Sequence, residues 1–167
     1  MVGGLLFVLI CLCALGSGLI AGVFFAFSAF VMTALGRLPP DQGIAAMQSI
    51  NVAVINPWFF AAFFGTAVAC VVLAIVALLR WSEPGTIVLL AGSLLYLVGT
   101  ILVTMRLNVP LNDALAAVQP ASAEAAGLWP RYLAEWTAWN HLRTAASLAA
   151  AAAFIVALVT ARAGPAP

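Results

Sequence analysis

Long apolar runs, broken only by short polar interruptions, dominate this chain. A helix that crosses the hydrocarbon core of a bilayer needs about 20 such residues. Four stretches meet or approach that length. The first covers about residues 5–35 and ends at Gly36-Arg37. The second covers 58–79; Pro57 suits its first turn, where an N–H has no helical partner anyway. The third covers 86–107 and is expected to stop at the turn-like Asn108-Val109-Pro110. The fourth covers 131–161, is alanine-rich, and becomes wholly apolar only from Ala145. The pattern predicts an all-α membrane protein, a four-transmembrane-helix bundle, with residues 1–167 as a single transmembrane domain.

The connections differ in kind. Residues 80–85 make a tight turn, whereas 37–56 and 108–130 are long and contain alanine-rich stretches fit for short amphipathic helices. Asp41, after Pro39-Pro40, is the expected cap of a helix over 42–52. With four spans, both longer connections fall on one side, and the termini and tight turn on the other. Arginines near the membrane favour the cytoplasmic side. Arg80, Arg162 and the N-terminal amine place the termini there, against Arg37 and Arg131.

Composition supports the membrane. The chain is 66% hydrophobic and 7% charged, against about 25% charged in soluble domains. Its six basic residues are all arginine, its acids number five, and the formal net charge is +1. Without a clustered basic face, no nucleic-acid partner is expected. Membrane lipids are the expected surroundings. Absent lysine beside abundant alanine points to a GC-rich bacterial gene, and so to the bacterial cytoplasmic (inner) membrane. Cys11, Cys13 and Cys70 lie in apolar runs and read as small hydrophobes. The first run lacks a basic start and exceeds a secretory core, so it reads as a retained helix.

Two helical faces carry information. Gly18 and Gly22 form a small-xxx-small pair, the usual mark of close helix approach in lipid. Gly92, Gly99 and Arg106 recur every seven residues, within about 40° of one another on an α-helix. Arg106 is therefore expected on the packed face, since lipid exposure at mid-bilayer costs roughly 2.5–3.5 kcal/mol or more. On the fourth helix Tyr132, Trp136, Trp139, Asn140, Arg143 and Ser147 form one stripe of rings and hydrogen-bonding groups. Such a surface suits a flat apolar aromatic small molecule; an interfacial belt with a snorkelling arginine is the plainer alternative.

Nearly all the strongly polar residues gather on the side of the long connections: Gln48, Asn51, Asn56, Arg106, Asn108, Asn112, Asp113, Glu135, Asn140, His141 and Arg143. With one histidine and no cysteine there, a zinc or iron site lacks ligands, and a b-type haem would have His141 alone. No phosphate loop or nucleophile elbow occurs. Proton abstraction by His141 or Asp113 is open, with Arg106 and Arg143 stabilising a developing oxyanion. His141 lies about 140° from Trp136 around the helix, which separates it from the Asn140/Arg143 stripe. The structural alternative pairs the two arginines with Asp113 and Glu135.

Several segments together resemble a known family: Phe24–Met32, Met47–Asn51, Asn56-Pro57-Trp58, Asn108–Asp113, and Trp136-x-x-Trp139-Asn140-His141-x-Arg143-Thr144. They are similar to the anthrone oxygenase-like family of small membrane proteins. The resemblance implies a four-helix membrane bundle and oxidation of anthrones to anthraquinones with molecular oxygen, without a cofactor. For this chain it implies an oxygenase of flat phenolic, anthrone-like or quinol-like substrates. His141, Arg106, Arg143 and Asp113 are then the catalytic candidates. Asn51, Asn108, Asn112, Trp136, Trp139 and Asn140 are the substrate-binding candidates. A non-catalytic lipid- or quinone-binding subunit of a larger complex is the alternative; an oligomer forming a pore is the least favoured.

Overall fold

The computed structural model describes residues 3–162, without the side chains of 161 and 162. Five helices, and no strand, occur among the described residues: α1 Gly4–Gly36, α2 Pro40–Ala53, α3 Pro57–Leu79, α4 Thr86–Ala116 and α5 Ala123–Arg162. All but α2 are long and apolar enough to cross a membrane. The chain is an all-α, multi-pass membrane protein. The N-terminal amine and the Arg162 side chain, on which the orientation expectation leans together with Arg80, lie outside the described residues.

The four membrane-length helices form a ring in which α1 packs on α5, α5 on α4, α4 on α3 and α3 on α1. One core fills the ring from Ile10 and Cys13 on α1, through Cys70 and Leu73 on α3 and Tyr96 on α4, to Phe154 on α5. Cys13 and Cys70 are buried free thiols. A second core gathers at the long-connection end, where α2 places Ile44 and Met47 against Leu115, Trp129, Tyr132 and Trp136. Gly43 permits that docking: a Cβ there would stand 2.8 Å from the Leu35 carbonyl oxygen and 2.9 Å from the Trp129 ring. Gln48 then donates to the carbonyl oxygens of Leu115 at 2.8 Å and Val118 at 3.0 Å, which have no helical partner beyond the end of α4.

Local chemistry sets the helix ends. Asn56 caps α3, its Oδ1 accepting from Phe59 N at 3.0 Å, with Pro57 in the first turn as expected. Gly85, at φ 84°, takes the left-handed conformation that closes the tight turn. Asp41 does not cap α2. Pro39 holds the cap position and its carbonyl oxygen accepts from Gln42 and Gly43, because Pro40 already fills the first helical site.

Three expectations change where helices bend their own rules. The third helix does not stop at Asn108-Val109-Pro110 but runs on to Ala116. It enters Pro110 through π-helical turns, Leu97–Leu102 and Thr104–Asn108. A widened turn shifts the carbonyl that would meet the proline ring. The fourth helix starts at Ala123 rather than 131, with the Ser122 hydroxyl accepting from Ala125 N at 3.1 Å and Pro130 carried inside. At 40 residues, α5 is roughly 60 Å long, twice a hydrocarbon core of about 30 Å. Its first turns therefore stand at and beyond the headgroups.

The third change concerns packing. Gly18 and Gly22 meet nothing, and α1 instead approaches α3 closely at Gly16, opposite Thr66. Gly92 and Gly99 do lie on the packed face, against Phe154 and Ala146 of α5. Arg106 does not follow them and is exposed. Each π turn takes about one residue more than an α turn. The seven-residue repeat therefore loses its register between Gly99 and Arg106.

Candidate functional site

A cavity of about 640 Å³ lies below α2, between the two cores. Its walls are mostly carbon: Phe24 and Phe27 from α1, Met47 and Ile50 from α2, Phe59 and Phe63 from α3, and the Trp136 ring from α5. Polar groups enter at a few points, from Gln48, Asn51, Thr104, Asn112, Asp113 and Arg143. The volume falls within the roughly 300–1,000 Å³ of small-ligand sites, and few polar groups on an apolar wall is their usual composition.

Arg143 is the dominant electrostatic feature. It is 4% exposed, and its guanidinium lies between two rings, 4.2 Å from the Phe24 centroid and 5.0 Å from that of Trp136. Nη2 donates to Asn140 Oδ1 at 2.8 Å and Nη1 to Thr104 Oγ1 at 3.3 Å. Nε has no hydrogen-bond partner. Among the described residues no carboxylate pairs with Arg143; Glu135 is held instead by exposed Arg131 at 2.7 Å. Removing a guanidinium from water costs several kcal/mol. Two charge-assisted hydrogen bonds, about 1.5–3 kcal/mol each, and two cation–π contacts, about 0.5–2 kcal/mol each, offset that cost. They leave the charge itself uncompensated.

The frame around this arginine explains its neighbours. Asn140 is fully buried and donates to the Phe24 carbonyl oxygen at 2.7 Å and to Ser28 Oγ at 2.8 Å. Ser28 sits in a π-helical turn of α1, Phe27–Val31, and Phe24 lies just before it; this backbone irregularity recurs at functional sites. Thr104 donates to the Thr100 carbonyl oxygen at 2.7 Å, which turns its oxygen lone pairs toward Arg143. Asn112 Oδ1 accepts from Trp136 Nε1 at 2.8 Å and Tyr132 Oη at 2.9 Å. That fixes the indole plane, behind which Tyr132 and Trp129 stack at 6.3 and 5.6 Å.

The structure thus brings together Arg143, Asp113, Asn51, Asn112 and Trp136 on the cavity wall, with Asn140 directly behind Arg143. It separates the others. His141 is exposed and lies outside the cavity lining, as its angular position on the helix implies. Trp139 is 37% exposed and also lies outside. Arg106 is exposed for the reason given above. Asn108 is buried but serves as a tie between helices, its Nδ2 donating to the Trp136 carbonyl oxygen at 3.2 Å. Among the described residues no three His, Cys, Asp or Glu side chains converge as metal ligands would.

Sequence reasoning passed over Thr104, Phe24 and the aromatic wall of α3. Thr100 and Thr104 carry a readable signal, since they lie four residues apart and meet Ser147 and Arg143 of the polar stripe. The phenylalanines carry none, being indistinguishable from lipid-facing rings.

A family model described as anthrone oxygenase matches residues 58–153. No curated protein and no solved structure matches the chain. The matched stretch holds Asn112, Asp113, Trp136, Asn140 and Arg143, and leaves out the α1 and α2 segments that complete the cavity. It takes in more than half of the 167 residues, and on that ground the chain belongs to the anthrone oxygenase family.

Proposed function

We propose that this protein is a membrane oxygenase that converts flat, apolar phenolic substrates of the anthrone or hydroquinone type, using molecular oxygen and no cofactor. The observation that carries the reading is Arg143, a buried cation without a counter-ion among the described residues, in the wall of an aromatic cavity. A preformed positive charge in an apolar site stabilises negative charge as it develops and needs no reorganisation.

In this reading the substrate stacks on Trp136 and places its oxygen near Arg143 Nε, with Asn112 and Asn51 orienting the far edge. Asp113, the carboxylate on the cavity wall, takes a proton from the activated methylene carbon. The resulting enolate gives one electron to oxygen, and the substrate radical and superoxide combine into a peroxide. For an anthrone, loss of water leaves the carbonyl, so that one methylene and one O₂ yield one C=O and one H₂O; a hydroquinone, which has no methylene, instead gives two electrons and two protons to O₂ and yields quinone and H₂O₂. His141, Trp139, Arg106 and Asn108 stand outside this scheme. The bacterial cytoplasmic membrane, with both termini in the cytoplasm, is the proposed setting.

The test is oxygen uptake and quinone absorbance with purified protein in nanodiscs and a hydroxylated anthrone. Equal consumption of oxygen and anthrone is expected, with kcat/KM reduced at least 100-fold in Arg143→Gln. No turnover above the uncatalysed rate across a panel of anthrones and hydroquinones would overturn the reading.

A further inference from the structure

The cavity is not sealed from the lipid. Phe60 and Phe64 of α3 and Met105 of α4 line it and are also 40%, 40% and 49% exposed. α3 and α4 are neighbours in the ring, so these side chains mark a lateral mouth between them. Phe60 and Phe64 lie in the first two turns of α3, and Trp58, at its very start, is almost fully exposed. An exposed tryptophan at a span end marks the headgroup level. The mouth therefore opens just below it, at the depth where the carboxylate of a membrane-dissolved fatty acid resides.

Inside the mouth the chemistry is that of a single-anion receptor. The walls are carbon, and Arg143 Nε is a buried donor without a partner. Asp113, also on the wall, is exposed, whereas Arg143 is buried. A monocarboxylate head satisfies Nε and the guanidinium charge together, and its chain need not fit the cavity because it can trail into the bilayer. We infer that the cavity admits an ionised long-chain fatty acid from the membrane, carboxylate against Arg143 and chain leaving past Phe60, Phe64 and Met105, where it competes with the aromatic substrate. Only the competition rests on the proposed function; the binding does not.

The test uses wild-type protein in phosphatidylcholine nanodiscs with radiolabelled oleate. Saturable binding of one oleate per chain is expected, displaced at least tenfold more effectively by unlabelled oleate than by methyl oleate. Arg143→Gln should abolish the saturable component. Non-saturable partitioning, or equal displacement by acid and ester, overturns the inference, and the acid–ester comparison needs no variant to fold. Saturable oleate binding without anthrone turnover keeps this inference and sinks the oxygenase. Anthrone turnover whose KM is unmoved by saturating oleate does the reverse.

Discussion

Asn140 Oδ1 accepts the Nη2 hydrogen bond of Arg143 at 2.8 Å, while the amide nitrogen of the same side chain is tied to α1 through Phe24 and Ser28. One buried amide thereby fixes the height and plane of the guanidinium relative to a neighbouring helix. Asn140→Ala should remove that support and leave Arg143 Nη2 without its partner, while the Phe24 carbonyl oxygen keeps the backbone N–H of Phe27. Unmet buried groups cost about 1–3 kcal/mol each. A lower Tm and a kcat/KM reduced by at least tenfold are expected. Asn140→Asp should behave differently, since a carboxylate beside Arg143 supplies the missing counter-ion. It should bind oleate and oxidise anthrone poorly while losing less Tm than the alanine variant. Thermal melts with both assays on the two variants decide this.

His141 provides the opposite expectation. Its exposed position outside the cavity means that His141→Ala should keep turnover within about twofold of wild type and leave stability within the usual surface range of about 0.5 kcal/mol. A tenfold loss of kcat at unchanged Tm would place a proton route on that face and displace Asp113 as the base.

Gly99 faces Ala146 with no room for another carbon between them. Gly99→Val should force α4 and α5 apart, at about 1–3 kcal/mol or more. Pairing it with Ala146→Gly should recover part of the loss. Gly18→Ala, on an open face, should be neutral in the same melts. Equal effects at the two glycines would contradict the helix contacts described above.

Gln48 joins α2 to the end of α4 through two carbonyl oxygens. Gln48→Leu should loosen the roof of the cavity more than the bundle beneath it. A raised KM for anthrone with kcat and Tm nearly unchanged is expected. Proteolysis should also become faster within 37–56. A Tm loss as large as that of Gly99→Val would show that α2 is integral to bundle stability.

The helices were readable because membrane length and apolarity are one-dimensional properties. The stripe of Tyr132, Trp136, Asn140, Arg143 and Ser147 was readable for a related reason: from Ala123 to Arg162 helix α5 is unbroken, so angular arithmetic holds along it. The same arithmetic failed for Arg106, where two π turns intervene. It also failed for the end of α4, where Asn-Val-Pro reads as a turn unless the widened backbone ahead of it is known. Gly18 and Gly22 had the right spacing, yet spacing does not say which face of α1 meets a partner. The absence of a carboxylate beside Arg143 lay beyond sequence reasoning. Asp113 and Glu135 were both expected on the same side of the membrane as Arg143, and among the described residues Glu135 pairs with Arg131 and neither acid pairs with Arg143.

The π turns of α1 and α4 have a bearing on how this chain tolerates change. Each takes up about one residue more than an α turn; the α1 residues that line the cavity lie before or at the start of its turn, while Val109, Asn112 and Asp113 of α4 lie beyond both of its turns. Deleting a single residue from either π turn of α4 would return that turn to α-helix and keep the phase beyond it, whereas the same deletion in the α-helical stretch 86–96 would swing everything beyond it by roughly 100°. Asn112 and Asp113 would leave the cavity although no wall residue had been replaced. The site is written in residue count as much as in residue identity, so deletions in the α-helical stretch before these turns should be far less forgiving than deletions within them.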